Sequence, residues 1–196
     1  MNSFIPVVRS FISGAEIRPV TEENIWQVGE LAEKIFPPTY REIVGAGQVD
    51  YMMELIYKPE ALVGQLTSGQ QFLLLYFEGQ PAGFASYTSL SLFKQSYGGI
   101  PEGYLTFTTI SEEGDFKLNK FYIDYRLQGN GLGKYFLSDV IERVKKTGGR
   151  VLQLNVNRQN TARAFYEKMG FQILKEEKID IGHGYFMEDY LMFLNL

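Results

Sequence analysis

Residues 120–134 read Lys-Phe-Tyr-Ile-Asp-Tyr-Arg-Leu-Gln-Gly-Asn-Gly-Leu-Gly-Lys. An apolar and aromatic strand runs into three alternate glycines and out into a helix that starts near Leu132. Glycines at 129, 131 and 133 let the backbone turn sharply and bring its N–H groups close to a bound group. The helix behind them aims its unpaired first-turn N–H groups and its positive dipole end at the same spot. Such a turn is an anion site, most often for phosphate. Whatever else the chain does, it must set a strand and a helix end to end around this turn.

Two common owners of glycine turns do not fit. A dinucleotide fingerprint needs Gly-x-Gly-x-x-Gly and an acidic ribose partner about 20 residues on. Here the spacing is Gly129-x-Gly131-x-Gly133, and the position where that acid belongs falls inside the following helix. A nucleotide P-loop needs Gly-Lys followed by Ser or Thr, whereas Gly133-Lys134 is followed by Tyr135. A turn that only packs a helix against a strand stays open as the alternative.

Composition removes further classes. With a net charge of −4 and no basic run, the chain carries no electrostatic footprint for nucleic acid. Absence of cysteine excludes disulfides, thiolate metal sites and a cysteine nucleophile, and suits a reducing cytoplasm. His183 is the single histidine, too few for a histidine-rich metal centre, and any serine–histidine triad would have to use it. Residues 1–14 lack the cationic start and long apolar core of a signal peptide, and are expected to be a loose N-terminal arm. No apolar run approaches the ~20 residues that span a bilayer. A soluble, cytoplasmic protein without metal, membrane or nucleic-acid partner is expected.

Taken in order, residues 15–20 alternate as a short strand, which Pro19 places at an edge or near its end. Thr21 offers an N-cap hydroxyl with Glu22 and Glu23 behind it, and Ile25, Val28, Leu31, Ala32, Ile35 and Phe36 recur at helical spacing. A helix over residues 22–36, stopped by Pro37-Pro38, is predicted. Further helices are predicted from about Val49 to Tyr57 and from Pro59 to about Thr67. Residues 71–77 are a buried strand, 78–81 a turn, and 82–89 its antiparallel partner. Residues 104–110 read as a strand, 111–114 as a turn and 115–123 as another strand. After the helix from Leu132 come a strand at 151–156, a short helix at 160–168 and a hairpin of 171–181 with 185–194. No repeat, low-complexity segment or linker divides this α/β chain.

At this point two segments together resemble one family. Gln128-Gly-Asn-Gly131-Leu-Gly133 is similar to the Gln/Arg-x-x-Gly-x-Gly/Ala signature of the GNAT family of N-acetyltransferases. Residues 154–171, Leu-Asn-Val-Asn-Arg-Gln-Asn-Thr-Ala-Arg-Ala-Phe-Tyr-Glu-Lys-Met-Gly-Phe, resemble the second motif of that family. Both stand in the right order at the right spacing. The resemblance implies one N-acetyltransferase domain over residues 1–196. Its fold would be α/β: a mixed, mostly antiparallel sheet of about seven strands flanked by four or more helices, splayed between the fourth and fifth core strands.

The resemblance also implies roles. Acetyl-CoA would lay its pyrophosphate on the turn formed by Gln128, Gly129, Asn130, Gly131, Leu132, Gly133 and Lys134. Its pantetheine arm would run along the backbone of Phe121, Tyr122 and Ile123, with an amide near Ile123 facing the thioester oxygen. Asn157 and Asn160 lie where the family contacts the cofactor, although each equally suits helix capping. Tyr166 matches the tyrosine that donates to the departing sulfur; a packed helix-face aromatic beside Phe165 is the alternative.

For the general base, some members place a glutamate where this chain has Lys117, with Asn119 following. Glu112, Glu113 and Asp115 are expected to be solvated turn acids, and Tyr122 or a water chain is left to relay the proton. His183, between two glycines, approaches the acceptor pocket or merely serves a turn. Asp180, Glu188 and Asp189 offer charge to a cationic amine or face solvent. Without cysteine, the amine would attack the thioester directly in a ternary complex. The expected partners are acetyl-CoA and an amine, with small amines and polyamines ahead on the likeness of residues 179–192, a protein N-terminus open, and a homodimer ordinary for the family. A non-catalytic acyl-CoA sensor or scaffold on the same fold is the alternative function.

Overall fold

The structure is a computed structural model and describes residues 12–90 and 114–196. Seven strands form one sheet: β1 (Ala15–Pro19), β2 (Gln71–Phe77), β3 (Gln80–Ser89), β4 (Asp115–Ile123), β5 (Val151–Asn157), β6 (Gln172–Gly182) and β7 (Tyr185–Asn195). Their spatial order is β1-β2-β3-β4-β5-β7-β6. Every neighbouring pair is antiparallel except β4 and β5. Among the described residues are five α-helices: α1 (Trp26–Val44), α2 (Ala46–Tyr57), α3 (Pro59–Thr67), α4 (Leu132–Lys146) and α5 (Ala162–Lys168). This is the mixed, mostly antiparallel α/β arrangement expected. The predicted strand at 104–110 lies outside the described residues.

β2 shows why the sheet has helices on both sides. Successive strand residues point to opposite faces, and in Gln71–Phe77 both faces are apolar. Phe72 and Leu74 pack with Leu31, Phe36 and Leu62 of α1 and α3. Leu73 and Leu75 pack with Phe136, Leu137, Leu152 and Met192 around α4. The hairpin to β3 is tighter than predicted. Only Glu78 and Gly79 turn, both at positive φ (50° and 76°), and Pro81 already lies in β3 beside a bulge at Leu75/Tyr76, where its missing N–H is tolerated.

Two expectations about α1 are corrected. The helix begins at Trp26, and Thr21 does not cap it; instead the Thr21 N–H donates to Asn24 Oδ1 at 2.8 Å. It also continues through Pro37 and Pro38 to Val44. Two adjacent prolines remove two helical N–H donors. The apolar stripe outweighs that loss, because Tyr40 is buried in the α1–α3 core and Ile43 and Val44 pack against it. Ile35 O, one turn below, accepts from Thr39 Oγ1 at 2.6 Å.

The feature that builds a site is the split between β4 and β5. They pair from Asp115↔Val151 to Leu118↔Leu154 and no further. Beyond that point β4 stays with β3 as far as Gly83↔Ile123, and β5 stays with β7 as far as Asn157↔Asp189. A bulge sharpens the split: Tyr87 pairs with Leu118 and Ser86 with Lys120, leaving Asn119 as the extra residue. Lys120 and Tyr122 thereby face α1–α3, whereas Phe121 and Ile123 pack toward α4 and α5.

Gly83 permits this crowding, since a Cβ there would lie 2.4 Å from the Tyr122 carbonyl oxygen. Gly83→Ala is expected to cost roughly 2–3 kcal/mol by overpacking. Thermal unfolding should register this as a Tm loss of roughly 5–10 °C.

Candidate active site

The glycine turn leaves β4 through a short 3₁₀ turn, Tyr125–Leu127, whose start is held by Asp124. Asp124 Oδ1 accepts from the Arg126 N–H at 3.0 Å, and the Arg126 guanidinium lies 2.5 Å from Oδ2. Gly129 and Gly131 then adopt φ of 85° and 78°, left-handed values that favour glycine. Gly133 is needed for contact instead, since its Cβ would press on the Phe165 ring at 3.3 Å. Helix α4 opens without a side-chain cap and with no acidic residue in its first turn. Its first amides and dipole therefore act outward, toward an anion.

A cleft of ≈ 900 Å³ starts at this turn and runs into the split. Gln128, Gly129, Gly131, Gly133 and Lys134 line its mouth; Phe121, Tyr122, Ile123, Asn160 and Tyr166 line its depth. Among the described residues Lys134 is the only charged one on its wall, so the cleft suits an anionic ligand. Of the other residues singled out from the sequence, Asn130 is exposed, with Nδ2 donating to Leu127 O at 3.5 Å, and Leu132 is a core side chain. Asn160 lines the cleft and also turns the chain into α5, with Oδ1 accepting from the Ala162 N–H at 2.9 Å. Asn157 accepts from the Gln159 N–H at 3.0 Å and lines a second cavity, not this cleft.

Tyr166 is 7% exposed and stands edge-on to Phe165, Phe171 and Phe121. Burial, with the Tyr40 hydroxyl nearby, holds its own hydroxyl well above the usual phenol range. It is a neutral O–H at any physiological pH, able to donate and unfit to be a base. Tyr122 is held high for the same reason, with its hydroxyl 3.5 Å from that of Tyr40.

The second cavity, ≈ 490 Å³, lies on the α1–α3 side and shares Tyr40, Leu118, Asn119, Tyr122 and Asn155 with the cleft. The two spaces therefore meet at the split. Their junction holds Tyr40, which sequence reading missed because the helix was ended at the prolines. Among the described residues, the Asp, Glu, Lys and Arg side chains that line the second cavity are Lys117, Lys120 and Asp189. Burial pushes Lys117 down to about 8 against the pull of Glu177 and Asp189. Burial alone pushes Lys120 down to about 7. Burial also pushes Asp189 up to about 7, opposed by Lys117 and reinforced by Glu177.

The acidic hairpin divides by strand alternation. Asp189 is 4% exposed and turned inward. Glu188 faces solvent, paired with Arg158 and Lys178, and Asp180 accepts from the Gly182 N–H. Asp115 is also a correction: it opens β4 at 2% exposure and is no solvated turn acid. His183 takes φ 54° in its turn, with its ring 4.9 Å from Tyr51, and lines neither cavity.

Known proteins share this architecture. An N-acetyltransferase from Thermoplasma acidophilum, solved in complex with coenzyme A, superposes with a TM-score of 0.68 at 21% identity, covering 93% of this chain and 99% of that one. A ribosomal-protein-alanine N-acetyltransferase from Brucella melitensis superposes with a TM-score of 0.62 at 20% identity, covering 92% and 99%. A curated relative, the bS18-alanine N-acetyltransferase of Haemophilus influenzae, is 39% identical over 59 residues, which span 30% of this chain and 37% of that protein. The family model described as an acetyltransferase (GNAT) domain matches residues 47–186. With that match extending over more than half of its length, the chain belongs to the GNAT acetyltransferase family.

Proposed function

We propose that this protein moves the acetyl group of acetyl-CoA onto a primary amine, by direct attack of the amine within a ternary complex. The observation that carries the reading is the cleft that joins an uncapped, acid-free helix N-terminus to Tyr166 through the split sheet. The amides of the turn from Gln128 to Lys134, with the Lys134 ammonium, hold a diphosphate. From Asn119 onward the edge of β4 facing β5 has no strand partner among the described residues, so its backbone is available to pair with an amide-bearing arm. Coenzyme A, the ligand of the Thermoplasma relative, has a diphosphate and such an arm.

At the junction Tyr166 gives its hydroxyl hydrogen to the departing sulfur as a hydrogen bond. The acceptor enters from the second cavity, whose volume is that of a small-molecule site. An alkylamine near pKa ~10.4 must first lose a proton, at roughly 4.6 kcal/mol at pH 7, so the walls of that cavity decide which amines react. A small amine fits the space; a protein N-terminus is the second class, since the names of two relatives specify an alanine of a ribosomal protein.

Isothermal titration should give acetyl-CoA a dissociation constant in the micromolar range or tighter. No heat at millimolar ligand would contradict the reading at its first step.

A further inference from the structure

The second cavity has two charged groups of opposite sign, each incompletely matched by the protein. One is Lys120, 7% exposed. Its ammonium donates to Gln65 Oε1 at 2.5 Å, and Gln65 is itself fixed by a 2.8 Å bond from Nε2 to Ile56 O. The rings of Tyr57 and Phe72 flank it at 5.8 and 5.4 Å. No carboxylate among the described residues pairs with it, which leaves ammonium donors without an anionic partner among those residues. A buried cation of this kind is costly unless something supplies the missing anion.

Asp189 also lines the cavity, and its buried Oδ1 has no hydrogen-bond partner among the described residues. Asn157 and Lys117 face this carboxylate from β5 and β4, Glu177 from β6, Arg158 from the turn after β5, and Tyr40 from α1. The oxygen left over is an acceptor for a further N–H. Met52, Leu55, Ile56, Ile181 and Met187 give the same cavity an apolar part of its wall.

We infer that the acceptor is an amino carboxylate: a primary amine that meets Asp189, joined through an apolar body to an anionic group that meets Lys120 and Gln65. The inference rests on the acetyltransferase reading and narrows it. It also gives a role to a buried lysine that the transfer step does not use. A bare polyamine would bring a second cation to Lys120 in a low-dielectric cavity, and like charges there repel.

The test is a kinetic comparison of acceptors with and without the anion, with rates expressed per neutral amine: leucine against isoamylamine, and ε-aminocaproate against hexylamine. For at least one series the wild-type kcat/KM should favour the acid by about tenfold or more, the ratio that ~1.4 kcal/mol confers. Lys120→Met should collapse that ratio toward one. Asp189→Asn should raise KM for the acid and the neutral amine alike. Turnover confined to neutral amines, or a ratio that survives K120M, would overturn the inference while leaving acetyl transfer intact. An Asp189→Asn enzyme with unaltered KM would overturn the amine end of the assignment. Absence of thiol release with every acceptor would overturn it together with the acetyltransferase reading.

Discussion

Tyr166→Phe should lower the single-turnover rate of acetyl transfer by about one to three decades, the usual worth of one well-placed donor in a transition state. Affinity for acetyl-CoA should stay within about threefold, because the ring contacts to Phe121, Phe165 and Phe171 survive the change. A free thiol titrates near ~8.5 and a phenol near ~10, so handing over the proton outright is uphill by roughly 2 kcal/mol. Burial raises the Tyr166 hydroxyl further and widens that gap. In the proposed reaction the residue would therefore stabilise the forming thiolate as a hydrogen-bond donor. Single-turnover kinetics beside titration of acetyl-CoA separate the two effects. An unchanged rate would assign the sulfur another donor.

Lys120→Met should make the protein more stable at neutral pH, by roughly 1–4 kcal/mol, the range seen when buried charges give way to apolar side chains. Differential scanning calorimetry should show a Tm gain of roughly 3–10 °C. The sign follows from linkage. Burial lowers Lys120 from 10.5 to about 7, so the folded chain prefers the neutral amine. Across that span the unfolded chain holds a proton that the folded chain has released, and stability rises with pH. The contribution is complete above the unfolded value and is lost as pH falls to about 7, where the whole penalty applies. The advantage of the variant should therefore shrink as the pH is raised toward about 10. Gln65 Oε1 loses its donor in the variant, which keeps the gain below the full linkage value. A destabilised variant at neutral pH, with no convergence at high pH, would mean that Lys120 is held as a structural cation.

What could be read from the sequence was local chemistry. Gly129 and Gly131 marked a sharp turn, the helix behind them opened with no acidic residue in its first turn, and Tyr166 was singled out by the likeness of residues 154–171 to a family motif. Each of those signals lies within one stretch of chain. The acceptor side was harder because tertiary placement decides it. Pro37-Pro38 looked like a helix stop, yet burial of Tyr40 carried α1 onward, and Tyr40 reached the junction. The bulge at Asn119 turns Lys120 toward α3, which no spacing rule announces. In a hairpin rich in acids, only pairing with β5 reveals that Asp189 points inward while Glu188 points out. The β4–β5 split was legible only through the family likeness, because strand pairing that stops halfway leaves no periodic trace.

The most direct test of acetyl transfer is amine-dependent release of free thiol from acetyl-CoA, followed with a thiol reagent across a panel of amino acids, small amines and peptide N-termini. The account predicts saturable thiol release that requires enzyme, acetyl-CoA and acceptor together. Tight acetyl-CoA binding with no thiol released by any acceptor would contradict it, and would make the protein an acyl-CoA-binding scaffold on this fold.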